Sequence, residues 1–192
     1  MNKTTARVRN TTDSEVLIDL MSDMGTEIRG EIGDMTAEEL AWQPDPQANS
    51  IGVTVWHVAR WLDVLAVRIL GTGSADDELW HTQGWAGKTG YDPRGLGASG
   101  LGNVTGYTVE EVAAIPPMRA ADLLTYLDSV IKAVNSRIAG LAEGALHEKV
   151  PGIGKSRTAY QWIKLLLKGG LGHLGEIQTL KSLHERRAVA AV

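Results

Sequence analysis

Along four stretches of this sequence apolar residues recur every three or four positions, which is the period of an amphipathic helix. The stretches cover residues 13–33, 51–70, 119–141 and 158–185. The second is apolar on nearly every side, so we expect it to lie deepest. No segments have the alternating pattern of paired strands. The sequence therefore predicts an all-α protein, folded as a four-helix bundle.

The connection between the second and third helices, residues 72–118, is much longer than a typical link between neighbouring helices. A crossover of this length allows two consecutive helices to run parallel. Residues 75–91 have helical and aromatic character, residues 92–106 are rich in glycine and should be irregular, and residues 108–114 predict one short helix. The aromatic residues either anchor the crossover to the bundle or serve as a lid or an oligomer contact.

The chain length and composition match one folded domain. With 192 residues, 43% hydrophobic and 22% charged, residues 1–192 should form a single soluble unit, with 1–12 and 186–192 as flexible tails. A net charge of −4 and the lack of a basic run argue against nucleic-acid binding. There is no cysteine, so any thiol chemistry must come from a ligand.

Nothing in the sequence predicts a membrane protein. The longest apolar stretch, residues 53–70, contains His57, Arg60, Asp63 and Arg68, which would be costly in lipid. The N-terminus lacks the apolar core of a secretory signal. We therefore expect a cytoplasmic location.

Of the five histidines, only His57 and His173 lie in the middle of long and mostly buried helices. A buried imidazole needs a partner, which leaves two interpretations. Each ring either stays neutral and hydrogen-bonds within the core, or both rings point at one metal, as in many bundle sites. Glu176, three residues after His173, is either a surface carboxylate or a group that supports or ligates the metal.

The fourth helix has four glycines around His173, namely Gly169, Gly170, Gly172 and Gly175. Each glycine inside a helix costs up to ~1 kcal/mol relative to alanine. Either another helix approaches closely here, or the missing side chains leave a cavity beside the imidazole. Trp56 and Trp61 either line such a pocket or pack in the core.

Two sets of motifs resemble the DinB-like superfamily. The runs LAWQP (residues 40–44), NSIG (49–52) and VWHVA (55–59) resemble the end of its first helix and the start of its second. The run HLGEI (173–177), followed by Leu180, resembles its fourth-helix signature. The order of these motifs and the helix count extend the resemblance over nearly the whole chain.

The resemblance implies a bundle with up-down-down-up topology, often a homodimer, in bacterial cytoplasm. Characterised relatives depend on a divalent metal, zinc or nickel among them, and several use a low-molecular-weight thiol such as mycothiol or bacillithiol in transfer, isomerisation or hydrolysis. Their metal is held by one histidine from the second helix and two, four residues apart, from the fourth.

This sequence departs from that ligand set. His57 matches the first ligand and His173 the last, but Gly169 occupies the middle position. A replacement could come from Glu176, from His81 or from a bound thiol. The sequence thus predicts a metal-dependent hydrolase or thiol-dependent transferase with an incomplete metal site at His57 and His173, with Glu176 and Trp61 beside a small-molecule substrate. The alternative is a non-catalytic bundle that binds a small molecule or serves as a dimeric interaction module.

Overall fold

The computed structural model describes residues 11–142, 144–150, 153 and 156–190, and most of them are helical. The helices are α1 Asp13–Ile32, α2 Ala37–Ala41, α3 Ile51–Val64, α4 Leu79–Thr82, α5 Trp85–Thr89, α6 Val109–Ala113, α7 Ala120–Ala139 and α8 Ala159–Ala190. Two short strands, β1 Lys149–Val150 and β2 Arg157–Thr158, pair antiparallel just before α8. The predicted all-α class is confirmed, and the two-residue strands are an addition that the pattern did not indicate.

Side-chain caps explain where the long helices begin. The N-cap of α1 is Thr12, one residue before the predicted stretch. Its hydroxyl accepts from the Glu15 N–H at 3.2 Å, and the Glu15 carboxylate accepts from the Thr12 N–H at 2.8 Å. This reciprocal capping box satisfies two free amides and so decides the position. Helix α3 begins after Ser50, as the sequence predicts.

The end of the second predicted helix is not α-helical. After Ile51–Val64 the chain forms a π-helical turn, Leu65–Ile69, which closes where the Leu70 N–H donates to the Leu65 carbonyl at 2.8 Å. Gly71 follows, and a Cβ there would lie 2.5 Å from a main-chain carbonyl of the same turn. Only glycine fits this close approach, so the chain leaves the helix directly after the predicted stretch 51–70.

Helices α1 and α3 each pack against both α7 and α8. Between α1 and α7, Asn135 donates to Ser22 at 3.0 Å, and Arg29 pairs with Asp128. Residue numbers rise along α1 as they fall along α7, so these two helices are antiparallel. Helices α1 and α8, by contrast, are parallel.

Three further sets of contacts define the remaining directions. Met24 packs against Gly170 and Glu31 accepts from Lys181, so α1 and α8 are parallel. Thr54 contacts Glu176 and His57 contacts His173, so α3 and α8 are antiparallel. Arg60 contacts Tyr126 and Arg137 donates to the Ala66 carbonyl, so α3 and α7 are parallel. The long connection between α3 and α7 accommodates this parallel pair.

The first half of the crossover is anchored by aromatic rings. Trp80 is fully buried and lies edge-on to Trp56 of α3, with ring centroids 5.5 Å apart, and to Tyr126 of α7, at 5.1 Å. Tyr91 also contacts Trp56, and Trp85 contacts Tyr126. These rings are buried in the core, which supports the anchoring interpretation of the crossover.

A buried charge network fastens the same segment. Arg60 and Asp63 of α3 are almost completely buried and form an ion pair at 3.0 Å. Asp63 also accepts from Tyr126 and from the backbone N–H groups of Leu79 and Trp80. Paired charges of this kind tie α3, α7 and the start of α4 together.

The described residues reach into both expected tails. Thr12 caps α1, and α8 continues through Ala190, five residues beyond the predicted end. Residues 1–10 and 191–192 of those tails lie outside the described residues. Among the described helices, none combines the length and apolar character that crossing a membrane requires.

Candidate functional site

The two histidines that the sequence singles out lie next to each other. His57 projects from α3 and His173 from α8, with ring centroids 4.8 Å apart and ring planes at 89°. The two helices are antiparallel, and this contact is one turn from the contact between Thr54 and Glu176. The fold therefore brings two imidazoles, distant in the chain, into one place.

The hydrogen bonds of His57 determine which ring nitrogen is free. Its Nδ1 contacts the backbone carbonyl of Asn103, and a carbonyl can only accept. Nδ1 therefore carries the proton and donates it, which leaves the lone pair on Nε2. Burial lowers the pKa of His57 to about 4, so the ring is neutral near pH 7.

His173 also donates from Nδ1, in its case to a carboxylate. Its Nδ1 lies 2.8 Å from Oε2 of Glu176, while Oε1 of Glu176 accepts from the Thr54 hydroxyl at 3.5 Å. The hydrogen bond from His173 lowers the pKa of the Glu176 carboxyl, which is therefore ionised. Glu176 thus orients His173, an arrangement typical of histidines that bind a metal through the other nitrogen.

Beside the imidazoles lies a cavity of about 210 Å³. Its lining consists of residues from α3 and α8, namely His57, Val58, Trp61, Leu62, Leu165, Leu166, Gly169, Gly170 and His173. Trp61 lines the cavity, and its Nε1–H donates to the Thr105 hydroxyl at 3.1 Å. Trp56 is not part of this lining and is fully buried among other aromatic rings. Of the two tryptophans, Trp61 therefore lines the pocket and Trp56 packs in the core.

Both explanations of the α8 glycines apply, but to different residues. A Cβ on Gly170 would lie 2.2 Å from Sδ of Met24, so α1 packs closely there. A Cβ on Gly169 would meet nothing within 4 Å, and this residue borders the cavity. Gly172 and Gly175 also face open space. Gly170 thus serves helix packing, whereas Gly169 leaves room beside His173.

The described residues contain no group of three or more His, Cys, Asp or Glu side chains that could hold a metal ion. Gly169, at the middle ligand position that the resemblance implies, contributes no donor. His81 lies on α4 with Asp92 as its charged neighbour, at 3.9 Å. The donor set is therefore two imidazole Nε2 atoms. These two atoms would fill two coordination positions of a divalent metal and leave the others to water and to a ligand.

Sequence reasoning missed the loop that positions α3 at this site. Arg60 donates from Nε to the Gly102 carbonyl at 3.0 Å, and the next carbonyl, that of Asn103, accepts from His57. Asn103 is fully buried, and Val104 after it has φ of 74°, a strained value for a β-branched residue. The available signal was Arg60 itself, since a charge in an apolar helix needs a partner from elsewhere in the chain.

Comparison with known proteins decides the family. A model of the DinB superfamily matches residues 22–177, which include both histidines and Glu176. The chain belongs to the DinB superfamily. The resemblance seen in the sequence motifs is thereby confirmed.

A solved structure of another protein supports the fold. The conserved protein of locus from Enterococcus faecalis superposes with a TM-score of 0.75 and 20% sequence identity, covering 91% of this chain and 98% of that one. At this identity the likeness concerns the fold alone. None of the curated proteins matches this DinB superfamily chain. Its activity must therefore be argued from the site.

Proposed function

We propose that this chain is a metal-dependent hydrolase or thiol-dependent transferase whose site is built on His57 and His173. The observation that supports the proposal is the matched orientation of the two imidazoles. Each ring donates from Nδ1 to a fixed oxygen, the Asn103 carbonyl or the Glu176 carboxylate, and so each can offer its Nε2 to a metal. Adjacent imidazoles oriented in this way beside a cavity are suited to bind a divalent metal such as zinc or nickel.

The residues around the pair supply the charge and access that such chemistry needs. A divalent metal held there would lower the pKa of a bound water or thiol, so that the anion forms near neutral pH. His57 keeps its lone pair at neutral pH because burial holds its pKa near 4. Glu176 adds one negative charge to offset the cation. The cavity beside Gly169 receives the small-molecule substrate or the low-molecular-weight thiol.

The proposal includes the arrangement of the four long helices. We infer that α1, α3, α7 and α8 form a four-helix bundle with up-down-down-up topology. The antiparallel pairs α1/α7 and α3/α8 and the parallel pairs α1/α8 and α3/α7 support it. Homodimerisation and a location in bacterial cytoplasm stay predictions.

Metal analysis tests the proposal directly. Protein purified without a metal-affinity tag and then loaded with zinc or nickel should retain about one equivalent after gel filtration, and His57→Ala and His173→Ala should each lose it. His147→Ala is the matched control, because His147 is exposed and lies 3.5 Å from Asp13 at the surface. Metal absent from the wild type, or unchanged in His57→Ala, would contradict the proposal.

A second candidate is a non-catalytic bundle that binds a small molecule without metal. Gly169 favours it, because the described residues offer no third metal ligand and the cavity is lined mainly by apolar side chains. The two candidates differ in one measurement. The second predicts that ligand binding is the same in metal-free and metal-loaded protein, whereas the first predicts tighter binding when metal is present.

A further inference from the structure

The chemistry of the cavity lining restricts what it can hold. Apart from the two imidazoles, its side chains are apolar, namely Val58, Trp61, Leu62, Leu165 and Leu166. The only other polar group among them, the indole N–H of Trp61, is already bonded to Thr105. The lining includes no Lys, Arg, Asp or Glu among the described residues. An ionised group placed against this surface would lose part of its hydration without gaining a charged partner.

The volume of the cavity limits the size of its occupant. The cavity measures about 210 Å³. An apolar cavity of ~150 Å³ holds benzene, and pockets for drug-sized molecules begin near ~300 Å³. The space therefore suits a molecule with one ring or a branched alkyl group of similar size.

The imidazoles determine which head group is accepted. Because Nδ1 of His57 donates to the Asn103 carbonyl, Nε2 of this neutral ring is an acceptor. A hydroxyl or thiol can donate to it, and the same oxygen or sulfur can ligate a metal. A carboxylate has no proton to donate at neutral pH, and an aliphatic amine would bring a positive charge into an apolar space.

Gly169 controls how much of this space is open. A Cβ there meets nothing within 4 Å, so a longer side chain would occupy the cavity instead of clashing with the helix neighbours. Gly172 provides a matched comparison on the same helix. Its Cβ position is equally open, but the residue does not line the cavity.

We infer that the cavity binds a small uncharged alcohol or thiol with a single-ring or branched apolar body, and that Gly169 determines the size of molecule accepted. The inference rests on the proposed function, since it concerns the same His57/His173 site and names the class of its substrate. The hydroxyl or thiol meets the imidazoles, and the apolar body lies against Trp61 and the leucines.

Calorimetric titration of the metal-free protein with matched probes tests the class of ligand. We expect 2-phenylethanol to bind at least about tenfold more tightly than phenylacetate, which has the same ring but an ionised head group. Ethylbenzene, which lacks a donor, should bind about five- to tenfold more weakly than 2-phenylethanol. Equal affinities for the alcohol and the carboxylate, or no binding of the alcohol, would overturn the inference.

Two glycine variants test the site. Gly169→Leu should weaken binding of 2-phenylethanol by at least about tenfold, whereas Gly172→Leu should change it by less than about twofold. Both variants replace a helical glycine, so thermal unfolding should show that both remain folded. Unchanged binding in Gly169→Leu would place the ligand elsewhere and overturn the inference.

The outcome is separable from that of the metal experiment. Protein that binds no metal but binds 2-phenylethanol in a manner dependent on Gly169 would contradict the proposed metal chemistry and support this inference. Protein that retains metal but does not bind the alcohol would support the proposed metal chemistry and contradict this inference.

Discussion

Two polar clusters lie one turn apart on α3 and are built in opposite ways. Around Arg60, the ion pair with Asp63 is complete, and Arg60 also donates to Tyr126 and to the Gly102 carbonyl. Around His57, each imidazole uses one nitrogen for a fixed oxygen and keeps the other free beside a cavity. The first arrangement uses its donors and acceptors for structure, whereas the second leaves Nε2 of each ring to interact with a ligand.

The comparison indicates how a buried polar group can be assigned a role. A charge with all of its partners inside the protein, such as Arg60, specifies how segments pack. A neutral imidazole with one free nitrogen and open space beside it is available to a ligand. The loop that carries Gly102 and Asn103 links the two clusters, because adjacent carbonyls accept from Arg60 and from His57.

The largest effect should come from breaking the Arg60 cluster. Asp63→Ala leaves Arg60 with Glu78 as its buried carboxylate partner, and it removes the acceptor of Tyr126 and of the Leu79 and Trp80 N–H groups, so the free energy of unfolding should fall by ~3–5 kcal/mol. Urea denaturation measures this change in the free energy of unfolding. Asp128→Ala, which breaks the exposed pair with Arg29, should cost less than ~1 kcal/mol. Similar costs for the two variants would contradict the structural role assigned to the buried cluster around Arg60.

Acid should weaken the fold through His57. The pKa of His57 is lowered from 6.5 to about 4 in the folded chain, so between these values the unfolded chain binds more protons. The contribution of the neutral ring is complete above pH 6.5 and is lost as the pH falls to about 4, a change of roughly 3 kcal/mol. Denaturation at pH 7 and pH 4 should show this difference in the wild type and a smaller one in His57→Phe. An equal pH dependence in both proteins would argue against a buried neutral His57.

Substitutions at two neighbouring glycines of α8 should distinguish the residue that packs against α1 from the residue that borders the cavity. Gly170→Leu forces Met24 to move within the core and should lower the free energy of unfolding by ~1–3 kcal/mol. Gly169→Ala has open space and should instead raise it by up to ~1 kcal/mol, because alanine is the better helix former. Thermal unfolding of both variants measures the contrast, and effects of the same sign would contradict the packing described here.

The smallest expected effect is on metal affinity, and it comes from a substitution that completes the metal ligand set. Gly169→His adds a third imidazole at the middle position that the resemblance implies, and its Cβ meets no neighbour within 4 Å. We expect the affinity for zinc to rise at least about tenfold, or ~1.4 kcal/mol, measured by competition with a chelator. An unchanged affinity would count against the placement of Gly169 on the same face as His173.

The sequence by itself determined the elements that depend on local periodicity and capping. It predicted the four long helices, the character of each part of the crossover and, through the motifs around His57 and His173, the superfamily. These features follow from the order of apolar residues and from short motifs, so they can be found without knowing which segments meet.

Only the tertiary structure decided the polarity and shape of the site. The tautomer of His57 depends on a carbonyl 46 positions away, and the partners of Arg60 come from three other segments. The different roles of Gly169 and Gly170 depend on whether α1 or a cavity lies opposite each residue. Hydrogen bonds and packing between distant segments are properties of the folded arrangement, so no local pattern in the chain encodes them.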